Sequence, residues 1–181
     1  MKKQSIILFL SEYFDNRLIE KIVAVIEREF LCEVVIKNHD LDIMPFYSPE
    51  RRQYDANKLL KAISKIDAPQ TSKKLALFSV DLFIPILTFL FGQSILNGNT
   101  SVISLYRLRN ELYGIKRDES LKQERLIKVI VHEIGHMFGL IHCQHPVCIM
   151  NSSTYVEHLD QKNAEFCEQC RTILNTNQNN H

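Results

Sequence analysis

The arrangement of apolar and polar residues in the first third of the chain predicts a strand, a helix and a second strand. The run Ser5–Leu10 is almost entirely apolar and predicts a buried strand. In residues 15–30 the apolar positions recur at helical spacing on one face, which predicts an amphipathic helix. Residues 32–36 form a short segment rich in β-branched side chains, which predicts a second strand. This order indicates an α/β layer, with helices packed on a sheet.

The middle of the chain predicts further strands and a hairpin. Residues 40–50 are rich in turn-forming residues, and a second helix is expected at residues 55–66. A third strand is expected at residues 75–80, followed by a pair of strands within residues 88–108. The pair joins residues 88–95 to residues 101–108 across Asn97, Gly98 and Asn99, a composition typical of a tight turn between antiparallel strands. We therefore predict an α/β (α+β) fold with a mixed, mostly parallel twisted sheet and helices.

The strongest helical pattern in the chain covers residues 119–139, and the sequence after it becomes less regular. Residues 140–166 show neither the helical nor the strand pattern of apolar positions, and residues 167–173 predict a short terminal helix. Residues 175–181 are polar, and we expect them to form a mobile tail. The C-terminal part is therefore expected to be a small irregular lobe that follows the main helix.

Length and composition are those of one ordinary globular domain. The chain has 181 residues, 45% of them hydrophobic, and a formal net charge of +1. We expect a single domain over residues 1–181, with an N-terminal lobe at residues 1–139 and a C-terminal lobe at residues 140–173. Without an excess of positive charge, nucleic acid is not an expected partner. We expect the protein to be a monomer.

The N-terminus superficially resembles an export signal. Lys2 and Lys3 precede an apolar run, but that run stops at Leu10 and charged residues follow, so we predict a strand and not a signal peptide. The longest apolar stretch, residues 82–91, contains Pro85 and is too short to cross a bilayer as a helix. We expect a cytoplasmic protein with no membrane partner.

The segment HEIGHMFGLIH at residues 132–142 has the spacing of a catalytic zinc site. Four residues advance a helix by about 400°, so His132 and His136 project from nearly the same side and can bind one ion. Gly139 can adopt a left-handed conformation, which lets the chain turn and bring His142 back to the metal. Three imidazoles leave the fourth tetrahedral position open, as in a catalytic and not a structural site.

Glu133 follows the first histidine directly, so its carboxylate is expected beside the metal. There it can act as general base toward a zinc-activated water, a combination suited to peptide-bond hydrolysis. We therefore predict a zinc metallopeptidase that acts on peptides or proteins, with aminopeptidase and endopeptidase activity both open. The alternative is a zinc-stabilised peptide-binding protein with little or no turnover.

Four of the five cysteines gather near the C-terminus. They are Cys143, Cys148, Cys167 and Cys170, and the last two form a CxxC pair. Four thiolates make a closed tetrahedral zinc site that would hold the segment presenting His142. Four separate reduced cysteines, or two disulfides, are the alternatives. With the histidine site, this predicts two zinc ions per chain, one catalytic and one structural.

The string HEIGHMFGLIHCQHPVCIM, followed by FCEQC, resembles the archaemetzincin family of metalloproteases, a metzincin branch with an added four-cysteine zinc site. FGQSI at residues 91–95 and SVISLYRL at residues 101–108 resemble the strands before its active-site helix, so the likeness covers roughly residues 75–173. It implies a metzincin-like fold in which an antiparallel edge strand of the hairpin pairs with extended substrate. The implied roles are catalytic zinc ligands for His132, His136 and His142, general base for Glu133, Met-turn beneath the metal for Met150, and second zinc site for Cys143, Cys148, Cys167 and Cys170.

Overall fold

Two β-sheets and five α-helices make up the fold in the computed structural model, which describes residues 4–11 and 13–179. The strands are β1 (Ser5–Leu10), β2 (Glu33–Asn38), β3 (Tyr47–Ser48), β4 (Gln53–Asp55), β5 (Ser72–Phe78), β6 (Leu82–Ile84), β7 (Leu87–Leu90), β8 (Gly92–Ser94) and β9 (Thr100–Ser104). The helices are α1 (Asn16–Phe30), α2 (Ala56–Ser64), α3 (Glu119–Met137), α4 (Val156–Asp160) and α5 (Glu168–Asn179). Lys2, Lys3 and the last two residues of the predicted tail lie outside the described residues.

The main sheet has five strands in the order β2-β1-β5-β9-β8. The first four are parallel, and β8 is antiparallel to β9 at one edge. Parallel neighbours need long crossover connections, and α1 supplies the one between β1 and β2. The predicted α/β fold with a mixed, mostly parallel sheet is confirmed.

Alternate residues of the central strands are buried on opposite faces of this sheet. In β1, Ile6, Leu8 and Leu10 pack in one hydrophobic cluster with α1 and α3. Ile7 and Phe9, which alternate with them, pack in a second cluster with α2. Helix α3 therefore lies against the sheet on the face that it shares with α1, and this packing fixes its position relative to the edge strand β8.

The predicted hairpin is present, but the prediction of one continuous strand over residues 88–95 is wrong. Leu87–Leu90 forms β7 in a second sheet of order β3-β4-β6-β7, and the main-sheet strand begins only at Gly92. The other arm is shorter than predicted, because the chain enters a 3-10 turn at Tyr106–Leu108 after β9. The strands of the second sheet have two to four residues each, too few to show a periodic pattern.

The C-terminal segment contains more helix than the sequence predicted. Helix α4 interrupts the region expected to be irregular, and buried Arg125 of α3 holds it through two hydrogen bonds of 2.6–2.7 Å to Asp160. The prediction of a mobile tail is wrong for residues 175–179, which belong to α5. The Asn177 side chain donates to the Phe138 backbone oxygen at 2.8 Å, so α5 is held against the end of α3. In the part of the chain that the structure describes, no helix combines the length and apolar character of a membrane span.

Candidate metal centres and active site

Helix α3 brings the first two predicted zinc ligands together. The Asp118 side chain caps its first turn by accepting the Leu121 N–H at 2.9 Å. In the last two turns of the helix, the Nε2 atoms of His132 and His136 are 3.1 Å apart. Two nitrogens at about 2.0–2.1 Å from one ion in a tetrahedron are separated by roughly 3.4 Å. The separation of these nitrogens therefore fits two ligands of a single ion.

Gly139 turns the chain so that the third histidine joins them. It has a φ of 85°, in the left-handed region, and the Leu140 N–H returns to the Gly135 oxygen at 3.0 Å. A Cβ at Gly139 would lie 2.9 Å from the Asn177 side-chain nitrogen, so both conformation and space favour glycine here. After this turn, one ring nitrogen of His142 lies within 4.8 Å of those of the two helical histidines.

Backbone carbonyls fix the protonation of the two helical histidines. Nδ1 of His132 lies 2.8 Å from the Ile149 oxygen, and Nδ1 of His136 lies 2.7 Å from the Leu140 oxygen. Because a carbonyl oxygen only accepts, each Nδ1 carries the proton and each Nε2 presents a lone pair. This support of a ligand ring by a second hydrogen bond is typical of protein metal sites.

The surroundings also keep all three imidazoles neutral. Burial, and then the neighbouring His136, lower the pKa of His132 to about 3. Burial lowers the pKa of His136 as well, and for His142 burial and the positive charge of Lys162 have the same effect. A neutral imidazole is the form that binds a metal, so the three side chains fit a divalent ion such as zinc.

Glu133 is buried beside this cluster and is held by the edge strand. The Ser94 hydroxyl donates to Glu133 Oε2 at 2.5 Å, and a Cβ at Gly92 would lie 2.7 Å from Glu133 Cγ. Burial raises the pKa of Glu133 to about 7, while the Ser94 hydrogen bond acts in the opposite direction. A carboxyl group of this acidity can take up and release a proton near neutral pH.

Met150 lies fully buried beneath the histidine helix, where the resemblance places the Met-turn. A Cβ at Gly135 would be only 2.6 Å from Met150 Sδ, so the helix and the methionine are in close contact. The preceding residue, Ile149, provides the carbonyl that holds His132. Gly135 is therefore a supporting residue of the site that the motif spacing did not identify.

Substitution of Gly135 by alanine is expected to weaken zinc binding at the histidine site. The added methyl group displaces Met150 and with it the carbonyl that orients His132, and such outer contacts contribute roughly 10–100-fold to metal affinity. Chelator competition measures the dissociation constant, and a Gly135→Ala/Met150→Ala double variant should recover part of the loss because it removes the clash. An unchanged constant in the single variant would show that Met150 does not support the ligands.

The four clustered cysteines also converge. Their sulfur atoms all lie within 4.8 Å of one another, and those of Cys143 and Cys167 are 3.7 Å apart. Within the described residues no cysteine forms a disulfide, so the two-disulfide alternative has no support. Backbone N–H groups of His145 and Cys167 point at the sulfurs of Cys143 and Cys148, at 3.3 and 3.4 Å.

The environment of these sulfurs fits a bound cation. Burial raises the pKa of the Cys148 and Cys170 thiols, so four thiolates this close would not persist without a compensating positive charge. A zinc ion supplies that charge and accepts four sulfur ligands in a closed tetrahedron. Because Cys143 follows His142 directly, whatever holds this cluster also holds the third histidine.

A cavity of about 360 Å³ opens onto the three histidines and Glu133. Its walls come from β7 and β8, from the side of α3 that carries the motif, and from residues 152–154 after the Met150 turn. Two lysines, Lys128 and Lys162, also line it. The predicted edge strand thus borders the cavity, as β8, and brings Ser94 and Gly92 into the site.

Comparison with known proteins gives consistent similarities. The family model described as "Peptidase family M54" matches residues 5–176. The archaemetzincin of Saccharolobus solfataricus is 35% identical over 172 residues, covering 94% of this chain and 92% of that protein. The archaemetzincin of Pyrococcus abyssi is 39% identical over 129 residues, covering 71% of this chain and 69% of that protein.

Solved structures that match the fold of this chain are described as an archaemetzincin or as a zinc-dependent peptidase. A crystal structure of archaemetzincin from Methanopyrus kandleri matches with a TM-score of 0.83 and 30% identity, covering 97% of this chain and 95% of that chain. A zinc-dependent peptidase from Methanocorpusculum labreanum matches with a TM-score of 0.81 and 30% identity, covering 93% and 99%. Sequence and structure comparisons thus identify the same group of proteins.

Proposed function

The chain belongs to peptidase family M54, the archaemetzincins, and is a zinc metallopeptidase; on this basis we propose that His132, His136 and His142 hold its catalytic zinc and Glu133 is its general base. The observation that carries the proposal is the convergence of three neutral imidazoles beside one buried carboxyl group at the floor of a cavity. The same residues were expected to act together from their spacing in the sequence.

Zinc bound by the three histidines supplies Lewis acidity, which lowers the pKa of a water molecule and polarises the carbonyl of the scissile peptide bond. Glu133 takes a proton from the attacking water and delivers it to the leaving amine. Ser94 holds the Glu133 carboxylate in place during both transfers, since its hydroxyl donates to Oε2. Gly92 allows the strand to lie directly against that carboxylate.

The peptide substrate is proposed to lie along β8. This strand ends the main sheet, so the edge that does not face β9 has no strand partner among the described residues of that sheet. An extended peptide can add to such an edge through main-chain hydrogen bonds. Because β8 also contacts Glu133, a peptide bound there would place its backbone next to the proposed base.

We propose a second zinc at Cys143, Cys148, Cys167 and Cys170, which brings the total to two ions per chain. Four sulfur ligands leave no position for substrate, so the role of this ion is structural. It would link the loop after His142 to the start of α5. The four-cysteine cluster and the histidine segment would then form one mechanical unit within a single catalytic domain.

A screen of zinc-loaded protein against a mixed peptide library tests the proposed function. New peptide termini should be detected by mass spectrometry, disappear after chelation, and return when zinc is restored. Saturable binding of peptides without products would instead support a zinc-stabilised peptide-binding protein. That outcome, with both metal sites filled, would contradict the proposal of a hydrolytic site.

A further inference from the structure

Two lysines lie in the wall of the cavity described above, although the proposed hydrolysis does not use them. Lys128 is four residues before His132 on α3, so it lies on the same helix face one turn away. Lys162 comes just after α4, and only 4% of its surface is exposed. Both side chains line the cavity that contains the histidines.

Each ammonium group is held by one backbone carbonyl. Lys128 Nζ donates to the Leu159 oxygen at 2.9 Å, and Lys162 Nζ donates to the Asn151 oxygen. An ammonium group has three N–H donors, so each lysine keeps two for a ligand. These carbonyls therefore orient the lysines without using up their hydrogen-bonding capacity.

Among the residues that the structure describes, no carboxylate forms an ion pair with Lys128 or Lys162. Within residues 4–11 and 13–179, the ion pairs with nitrogen and oxygen 4.0 Å apart or closer all involve other side chains. Asp160, the acidic residue nearest to Lys162 in sequence, is paired with Arg125. Of the described residues that line the cavity, Glu133 alone carries a carboxylate.

The two positive charges also act on each other. Burial lowers the pKa of Lys162 to about 8; the nearby Cys148 opposes this, and the charge of Lys128 adds to it. At neutral pH Lys162 therefore remains largely protonated even though a second cation is close. Two like charges in the same partly dehydrated wall favour the binding of an anion there.

The loop at residues 152–154 contributes another polar group to the wall of the cavity. Ser153 lines the cavity, and its hydroxyl oxygen is buried without a hydrogen-bond partner among the described residues. A buried hydroxyl with no partner costs free energy that a bound polar ligand would recover. Because Ser153 lines the same cavity as the two lysines, its hydroxyl fits a ligand that accepts hydrogen bonds.

We propose that Lys128, Lys162 and Ser153 form a carboxylate-binding subsite of this peptidase. It would bind an acidic group of the substrate close to the cleaved bond, either the side chain of Asp or Glu or a free C-terminal carboxylate. The proposal rests on the proposed peptidase function, because it assigns a substrate preference to the same cavity. A carboxylate fits because its two oxygens can accept charge-assisted hydrogen bonds from both ammonium groups and a further hydrogen bond from the hydroxyl.

Matched peptides test the subsite. One set differs only by Glu or Gln at each position flanking the cleaved bond, and another only by a C-terminal carboxylate or amide. In the wild-type enzyme we expect kcat/KM to favour one carboxylate form by about tenfold or more, mainly through KM, since one charge-assisted contact has that order of effect. The set that shows the preference identifies the source of the carboxylate.

Variants then attribute the preference to the lysines. Lys128→Met and Lys162→Met should each bring the ratio of the two kcat/KM values close to one. Lys122→Met is the control, because Lys122 lies on the same helix outside the cavity, and the ratio should stay at the wild-type value. Absence of a preference in the wild type, or its persistence in Lys128→Met, would overturn the proposal.

Folding and activity are checked separately. Since Lys162 is buried, thermal melts accompany both substitutions, and the half-buried Lys128 decides the question if Lys162→Met does not fold. If no peptide is cleaved, the proposed function fails, but the subsite remains testable by calorimetry of zinc-loaded protein with succinate and its monoamide. Tighter binding of succinate that is lost in Lys128→Met supports the subsite, and equal binding of both compounds contradicts it.

Discussion

Replacement of Glu133 by glutamine is expected to abolish peptide hydrolysis while the zinc content of the protein stays unchanged. The amide has the size of the carboxyl group, so the packing against Gly92 is preserved, but it cannot accept a proton from water. Loss of a general base lowers kcat by roughly 10²–10⁴-fold. Turnover of a peptide identified in the library screen, together with elemental analysis of the same sample, measures both effects.

Glu124→Gln is the matched control, because Glu124 is an exposed glutamate on the same helix. Its turnover and zinc content should equal those of the wild type. Hydrolysis by Glu133→Gln at an undiminished rate would contradict the assigned base. Loss of zinc in that variant would instead indicate that Glu133 supports the metal site.

Substitution of Cys148 by serine is expected to remove one of the two proposed zinc ions and to destabilise the protein strongly. Cys148 is 1% exposed and belongs to the four-sulfur cluster. Structural zinc contributes about 10–16 kcal/mol in zinc-finger peptides. Loss of even a third of that lowers Tm by roughly 10 °C in a chain of this size. Elemental analysis and a thermal melt provide the two measurements.

Activity should fall in the same variant, because Cys143 directly follows His142 and the loop that presents this histidine would lose its anchor. Cys32→Ala serves as the control, since Cys32 is a buried cysteine that does not belong to the four-sulfur group. That variant should keep both ions. Two ions in Cys148→Ser, or a single ion in the wild type, would contradict the two-site proposal.

Sequence patterns were sufficient to predict those parts of the fold and the site in which local backbone geometry alone positions the residues. The helical repeat places His132 and His136 on one face of any helix, and a glycine at position 139 indicates the turn toward His142. The main sheet could likewise be predicted, because strands that are buried on both faces leave unbroken apolar runs such as Ser5–Leu10. These inferences need no knowledge of how distant segments meet.

Contacts between distant segments could not be predicted in this way. Ser94 donates to Glu133 across 39 positions of the chain, and nothing in a Gly-Gln-Ser strand marks it as the partner of a buried carboxylate. Gly135 fits Met150 only once the C-terminal loop has folded beneath α3. The end of α5 looks like a solvated tail because it is polar, yet Asn177 holds it through a hydrogen bond that hydropathy does not register.

The contact between β8 and Glu133 has a consequence for how a cleavage point would be selected. If the substrate backbone is aligned by the same three-residue strand that steadies the proton acceptor, the distance from the first strand hydrogen bond to the reacting carbonyl is set by main-chain geometry. Those main-chain hydrogen bonds are the same for every register of an extended peptide, so the strand would fix the depth and direction of the substrate. The choice of the cleaved bond would then fall to side-chain contacts such as the proposed carboxylate subsite.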